Sequence, residues 1–147
     1  MEKAFPKDIQ SLKSIYRFIQ RFTKHNRLDP SWINIINLIL EELFVNTVKY
    51  NPDTSGNVRI RLDACSDRIV MTLTAVNIDP FDITQTEPFD AGKHYQSMRR
   101  GGLGIPLVKH LVDDIRYHYN EETRSSTLTL IRHLEDQHVR HSNEQKQ

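Results

Sequence analysis

Glu42 and Asn46 stand four residues apart in Glu41-Glu42-Leu43-Phe44-Val45-Asn46-Thr47-Val48-Lys49-Tyr50, an otherwise apolar helical stretch. That spacing puts both side chains on one helix face. An ionised Glu can orient or deprotonate a hydroxyl. An Asn carboxamide oxygen can ligate Mg2+, which prefers oxygen donors and shares them with phosphates. A pair like this also arises as a plain solvated stripe. Two features weigh against that: the surrounding helix is apolar, and Asn is a poor interior helix residue. Lys49, three residues after Asn46, could approach a phosphate, although a lone lysine is commonly just solvated.

Further along lies Arg100-Gly101-Gly102-Leu103-Gly104-Ile105-Pro106-Leu107-Val108. Its glycines let backbone N–H groups approach an anion closely, and the helix that follows strengthens the field there. Arg99 and Arg100 are placed to meet a terminal phosphate. A glycine turn entering a helix is the bland alternative. The two segments together point to a Mg-nucleotide site.

The elements that must position these groups follow from periodicity. Ile9, Leu12, Ile15, Tyr16, Ile19 and Phe22 recur at helical spacing. Asp29 reads as an N-cap before Pro30, and the second helix should run from Ser31 to Tyr50, stopped by Asn51-Pro52. Val58, Ile60 and Leu62 alternate with polar residues, as do Ile69, Met71, Leu73 and Ala75, predicting two antiparallel strands. Residues 76–100 show no period, and a loop of that length is usually functional. A helix from Gly104 to about Val112 and two further strands, around Ile115–Tyr119 and Leu128–His133, complete the order. Strands joined by short turns predict an α/β (α+β) two-layer sandwich, with a mixed, mostly antiparallel sheet and helices on one face. The domain should span residues 1–133, followed by a polar, disordered tail over 134–147.

Composition sets the class. The chain has 147 residues, with 37% apolar and 27% charged content, ordinary for a soluble domain. A net charge of +1 gives no bulk case for nucleic acid or membrane binding. A single cysteine, Cys65, fits a reducing cytoplasm. The histidines of the tail region, His133, His138 and His141, lack metal-site geometry.

Glu42-x-x-x-Asn46 resembles the N box of the ATPase superfamily that includes gyrase, the heat-shock chaperones and histidine kinases. Arg100-Gly-Gly-Leu-Gly-Ile-Pro-Leu-Val resembles the second glycine box of one branch, the bacterial anti-sigma-factor serine kinases of partner-switching pathways. The resemblance covers roughly residues 9–133 and implies the histidine-kinase-like ATPase fold. It also implies that Glu42 is a catalytic base acting on a protein serine or threonine, and that Asn46 is the Mg2+ ligand. Gly101, Gly102, Leu103 and Gly104 would wrap the ATP phosphates, with Arg100 near the γ-phosphate. Ser126 or Thr127 would support the adenine pocket. The implied partners are a sigma factor and an antagonist protein, with a homodimer as an expected assembly.

The family's first glycine box, Asp-Asp-Gly-x-Pro-Phe-Asp, is altered. Alignment on Pro80-Phe81-Asp82 puts Val76 at the adenine-binding Asp and Ile78 at the Gly. Alignment on the preceding strand puts Ala75 at the Asp and Asn77 at the Gly, where Asn tolerates positive φ. Neither register keeps the Asp. Asn77 and Asp79 offer replacement acceptors after local adjustment. The expectation is an ATP-dependent kinase with weakened base recognition. The alternative is a pseudokinase-like module that holds a partner without transferring phosphate.

Overall fold

A computed structural model describes residues 1–51, 56–85 and 104–134. Strand β1 (Glu2–Pro6) leads through a 3-10 turn (Ile9–Ser11) into α1 (Leu12–His25) and then α2 (Ser31–Tyr50). Strands β2 (Asn57–Ala64) and β3 (Arg68–Val76) follow, then a 3-10 turn (Ile83–Gln85), α3 (Gly104–Leu111), β4 (Asp114–Asn120) and β5 (Ser125–His133).

The helices start and stop where side chains satisfy their end groups. The Asp8 carboxylate accepts from the Gln10 N–H at 2.8 Å, opening the turn into α1. At the other end Asn26 Nδ2 donates to the Phe22 carbonyl at 2.9 Å, and Arg27 takes a φ of 54°, turning the chain away. Asp29 accepts from the Ser31 N–H at 2.8 Å, the cap expected of it. Asn51 Nδ2 donates to the Thr47 carbonyl at 3.0 Å and closes α2 where the sequence predicts its end.

The sheet has the order β1-β2-β3-β5-β4, and all four pairings are antiparallel. Of the antiparallel and mixed arrangements expected, the described strands take the former. Alternation gives the sheet one apolar face: Val58, Ile60, Leu62, Ile69, Met71, Leu73, Ala75, Leu128 and Leu130 are buried there. The helices cover that face with Ile15, Phe18, Ile19, Phe22, Ile36, Ile39, Leu40, Leu43 and Phe44. Each such side chain contributes roughly 1.5–3 kcal/mol when fully buried, so one large core carries the fold.

Strand β1 is the element the periodicity did not predict. Only Phe5 in it is buried, so no alternation marks it in the sequence. Its pairing with β2 (Phe5 opposite Val58, Lys3 opposite Ile60) makes it a strand, and the Phe5 ring meets the edge of Phe18 at 5.7 Å.

Candidate functional site

The C-terminal half of α2, the segment leaving β3 and the first turn of α3 converge on one cleft. Its inner part is lined by Leu43, Asn46, Thr47 and Asn51 from α2 and its end, and by Val58, Leu73, Ala75, Ser126 and Leu128 from the sheet. Ile78, Asp79, Phe81 and Ile83 form one wall, with Tyr117 of β4 behind them. The outer part adds Pro80, Gly104 and Pro106.

Asn46 lines the cleft and Glu42 stands beside it against Gly104, and both are half-buried. A Cβ on Gly104 would stand 2.5 Å from Glu42 Oε2 and 3.4 Å from Asn46 Nδ2, so α3 begins directly against this pair. A side chain there would push the Glu42 carboxylate aside, which glycine avoids. Burial, with the Glu41 carboxylate beside it, pushes the Glu42 carboxyl above its ordinary value. A carboxylate so tuned holds protons more readily, as a general base working near neutrality requires.

The sheet side of the inner cleft is mostly apolar, with Ser126 its polar member. Ala75 is buried and lines it, while Val76 is 38% exposed and does not. Asn77 adopts a φ of 55°, the conformation a glycine takes most easily. That conformation suits the strand-based register of the altered glycine box, in which Ala75 takes the place of the acid and Asn77 that of the glycine. Asn77 contributes a backbone turn, and its Nδ2 sits 3.9 Å from where a Gly56 Cβ would be.

The wall after Asn77 is tied down by groups the sequence did not single out. The Tyr119 hydroxyl donates to the Ile78 carbonyl at 3.0 Å, and the Phe81 N–H donates to the Tyr117 hydroxyl at 3.0 Å. Burial pushes the Tyr117 phenol above its ordinary value. Asn51 Oδ1 accepts from the Asp79 N–H at 3.2 Å, joining the end of α2 to the wall. The alternation of Tyr117 and Tyr119 along β4 was the available signal. Nothing in the local sequence assigned it to the cleft.

Two expected site residues lie elsewhere. Lys49 is exposed, does not line the cleft, and holds its Nζ 5.4 Å above the Tyr50 ring. Thr127 faces the opposite side of the sheet, 3.4 Å from the Thr74 hydroxyl across β3 and β5. The pleat gives the cleft to its neighbour Ser126, which pairs with Ala75. Asp79 is at the mouth, its Oδ1 accepting from Arg124 at 3.1 Å, with 84% of its side chain exposed. Arg99, Arg100, Gly101, Gly102 and Leu103 lie outside the described residues, as do the tail residues from 135 onward.

A model of the histidine kinase-like ATPase domain family matches residues 5–132. The chain is 26% identical over 95 residues to the serine-protein kinase RsbW of Listeria monocytogenes, 60% of each chain. It is 26% identical over 115 residues to the serine-protein kinase RsbW of Bacillus subtilis, 74% of this chain and 69% of that one. It thus spans about 60% of the length of the Listeria relatives it matches. Its fold is similar to that of a chain in the crystal structure of the SiaB–SiaC complex from Pseudomonas aeruginosa. That similarity has a TM-score of 0.64 at 10% identity, over 91% of this chain and 89% of that one. No helix among the described residues is long and apolar enough to cross a membrane.

Proposed function

The chain belongs to the histidine kinase-like ATPase domain family, and on that footing we propose that it is a bacterial partner-switching regulator that binds Mg-ATP and phosphorylates a serine or threonine of an antagonist protein. The observation that carries this reading is the meeting of Glu42, Asn46 and Gly104 beside a cleft whose inner part combines apolar sheet residues with a few polar groups. The serine-protein kinase relatives support the same chemistry.

The donor set fits the groups it must hold. Val58, Leu73, Ala75, Ile78 and Leu128 offer apolar surface to a flat base, with Ser126 the polar group among them. Asn46 would hold Mg2+ through its carboxamide oxygen, with the cation's other ligands drawn from phosphates and water. Bound Mg2+ would supply charge neutralisation on the transferring phosphoryl group.

Each of the chain's own groups then has a task. Glu42 accepts the proton of the substrate hydroxyl, and its raised pKa makes it a stronger base than an ordinary carboxylate. Gly104 keeps α3 close to Glu42 and Asn46, so a phosphate held at the start of that helix lies beside both. The motif formed by Arg100, Gly101, Gly102 and Leu103, just before α3 in the sequence, assigns them the remaining phosphate contacts. The wall fixed by Tyr117, Tyr119 and Asn51 keeps the base end shaped.

Ala75 gives the base no acceptor, which lowers recognition of adenine and leaves the Glu42 end untouched. The reading extends to a cytoplasmic protein with residues 1–133 as its domain, a polar tail, a homodimeric assembly, and a sigma factor or antagonist as partner. Calorimetric titration with ATP, with and without Mg2+, tests it. Mg-dependent binding that Asn46→Ala removes is the expected result. No binding at millimolar ATP overturns it.

A further inference from the structure

The side of α1 turned away from the core is a stripe of cations. Lys13, Arg17, Arg21 and Lys24 recur at spacings of three and four, so they align along about 16 Å of helix. All four are exposed. Between Asp8 and Asp29 the sequence contains no acid at all, although the chain's net charge is only +1. Lys3 of β1 joins them. It pairs with Ile60, which puts it on the helix-covered side of the sheet, and its Nζ lies 5.3 Å above the Phe5 ring. Lys3, Arg17, Arg21 and Lys24, with Ser14 and Gln20, line an open groove between β1 and α1.

Nothing in the fold accounts for this stripe. Among the described residues, Lys3, Lys13, Arg17, Arg21 and Lys24 form no ion pair. The nearest acids along the chain are committed elsewhere, Glu2 to Arg59 at 3.6 Å and Asp8 to the Gln10 N–H. Like charges at this spacing destabilise a helix.

We propose that this groove is the docking surface for an acidic, amphipathic segment of a partner protein. Charge complementarity selects an anion. Two exposed apolar side chains stand close by in the chain outside the groove, Tyr16 at 38% next to Arg17 and Ile9 at 47% in the turn before α1, and they favour a polypeptide over a nucleic acid. Arg and Tyr together are the residues protein interfaces favour, and exposed apolar side chains near the cations suit leucines next to glutamates. The near-zero net charge also lacks the broad basic field of a nucleic-acid binder. The groove is built from β1 and α1, and no residue lining it also lines the nucleotide cleft. The inference therefore stands apart from the ATP reading.

The test uses the full chain and a fluorescent helical peptide with glutamates along one face and leucines beside them, read by anisotropy. Duplex DNA is the second probe. The expected result is peptide binding that weakens with salt and falls by about tenfold or more in Arg17→Glu/Arg21→Glu. Arg17→Gln/Arg21→Gln gives a smaller loss in the same direction, and Tyr16→Ala a loss that salt does not reproduce. ATP titration of the same variants should match the parent, which separates failure here from failure of the nucleotide reading. Peptide affinity unchanged by both double substitutions overturns the proposal. So does duplex DNA binding more tightly than the peptide through the same arginines.

Discussion

Gly104 and Glu42 are so close that a methyl group does not fit between them: a Cβ on Gly104 would stand 2.5 Å from Glu42 Oε2. Gly104→Ala must displace that carboxylate. The cost to stability is small, because the displaced atom is the end of a flexible side chain and Ala is the better helix residue by roughly 0.8–1 kcal/mol. With Glu42 as the proposed base, function has no such compensation, since misplacing a catalytic group by about 1 Å costs on the order of a hundredfold. The expected outcome is a melting temperature near the parent's and a phosphate-transfer rate far below it. Equal activity in the two proteins would detach α3 from the site.

Glu42→Gln should keep nucleotide binding and stop transfer. Its effect on stability has a definite sign. The folded-state pKa of Glu42 is raised by burial and by Glu41. The folded protein therefore holds that proton more tightly than the unfolded chain does. Stability is lost as pH rises from the unfolded pKa through the folded one. Gln removes that loss, so at neutral pH the variant should melt at or above the parent temperature. At acid pH the two should converge. In the active protein, the rising limb of the pH–rate profile should lie above the ordinary glutamate range. A limb at the ordinary value would remove Glu42 as the base.

Asn46→Ala should reduce ATP affinity in Mg2+ by about tenfold or more, through loss of a ligand to a charged centre. Without Mg2+, parent and variant should bind alike. Titration calorimetry in EDTA and in Mg2+ separates the two conditions. Equal losses in both would make Asn46 a packing residue.

Ala75→Asp should tighten adenine nucleotides by about ten- to a hundredfold, the worth of roughly 1.5–3 kcal/mol for a charge-assisted bond to an exocyclic amine. The same change should lower the melting temperature without ligand, because Ala75 is 4% exposed. Val76→Asp should leave affinity alone, since Val76 does not line the cleft. Tighter binding in Val76→Asp would reverse this assignment.

Tyr119→Phe leaves the Ile78 carbonyl without its hydroxyl donor, for about 1 kcal/mol of stability. Amide exchange over residues 77–83 should accelerate, with weaker nucleotide affinity. Unchanged exchange there would mean the wall is held by packing alone.

Much of the scaffold was legible locally. The span of α2 follows from Asp29-Pro30 at one end and Asn51-Pro52 at the other. The pairing of β2 with β3 follows from alternation across a short turn. Glu42 and Asn46 share a face by helical spacing alone. Asn77 as the positive-φ residue was one of two open registers, and the backbone chose it. Ser126 and Thr127 were equal candidates in the sequence, because two adjacent hydroxyls differ only in which side of the pleat each takes. Lys49 looked available to a phosphate by spacing, yet the local geometry carries it over Tyr50.

The sequence by itself determined the helices, four of the five strands and the shared helix face of Glu42 and Asn46, since these rest on short-range periodicity, capping and turn chemistry. The tertiary structure decided β1, the choice of Ala75 and Ser126 as cleft residues, the tyrosine struts on the wall and the contact of Gly104 with Glu42. Each of these is set by sheet register or by packing between elements distant in the chain. Such relations depend on the whole core closing at once, and no local window of the sequence contains them.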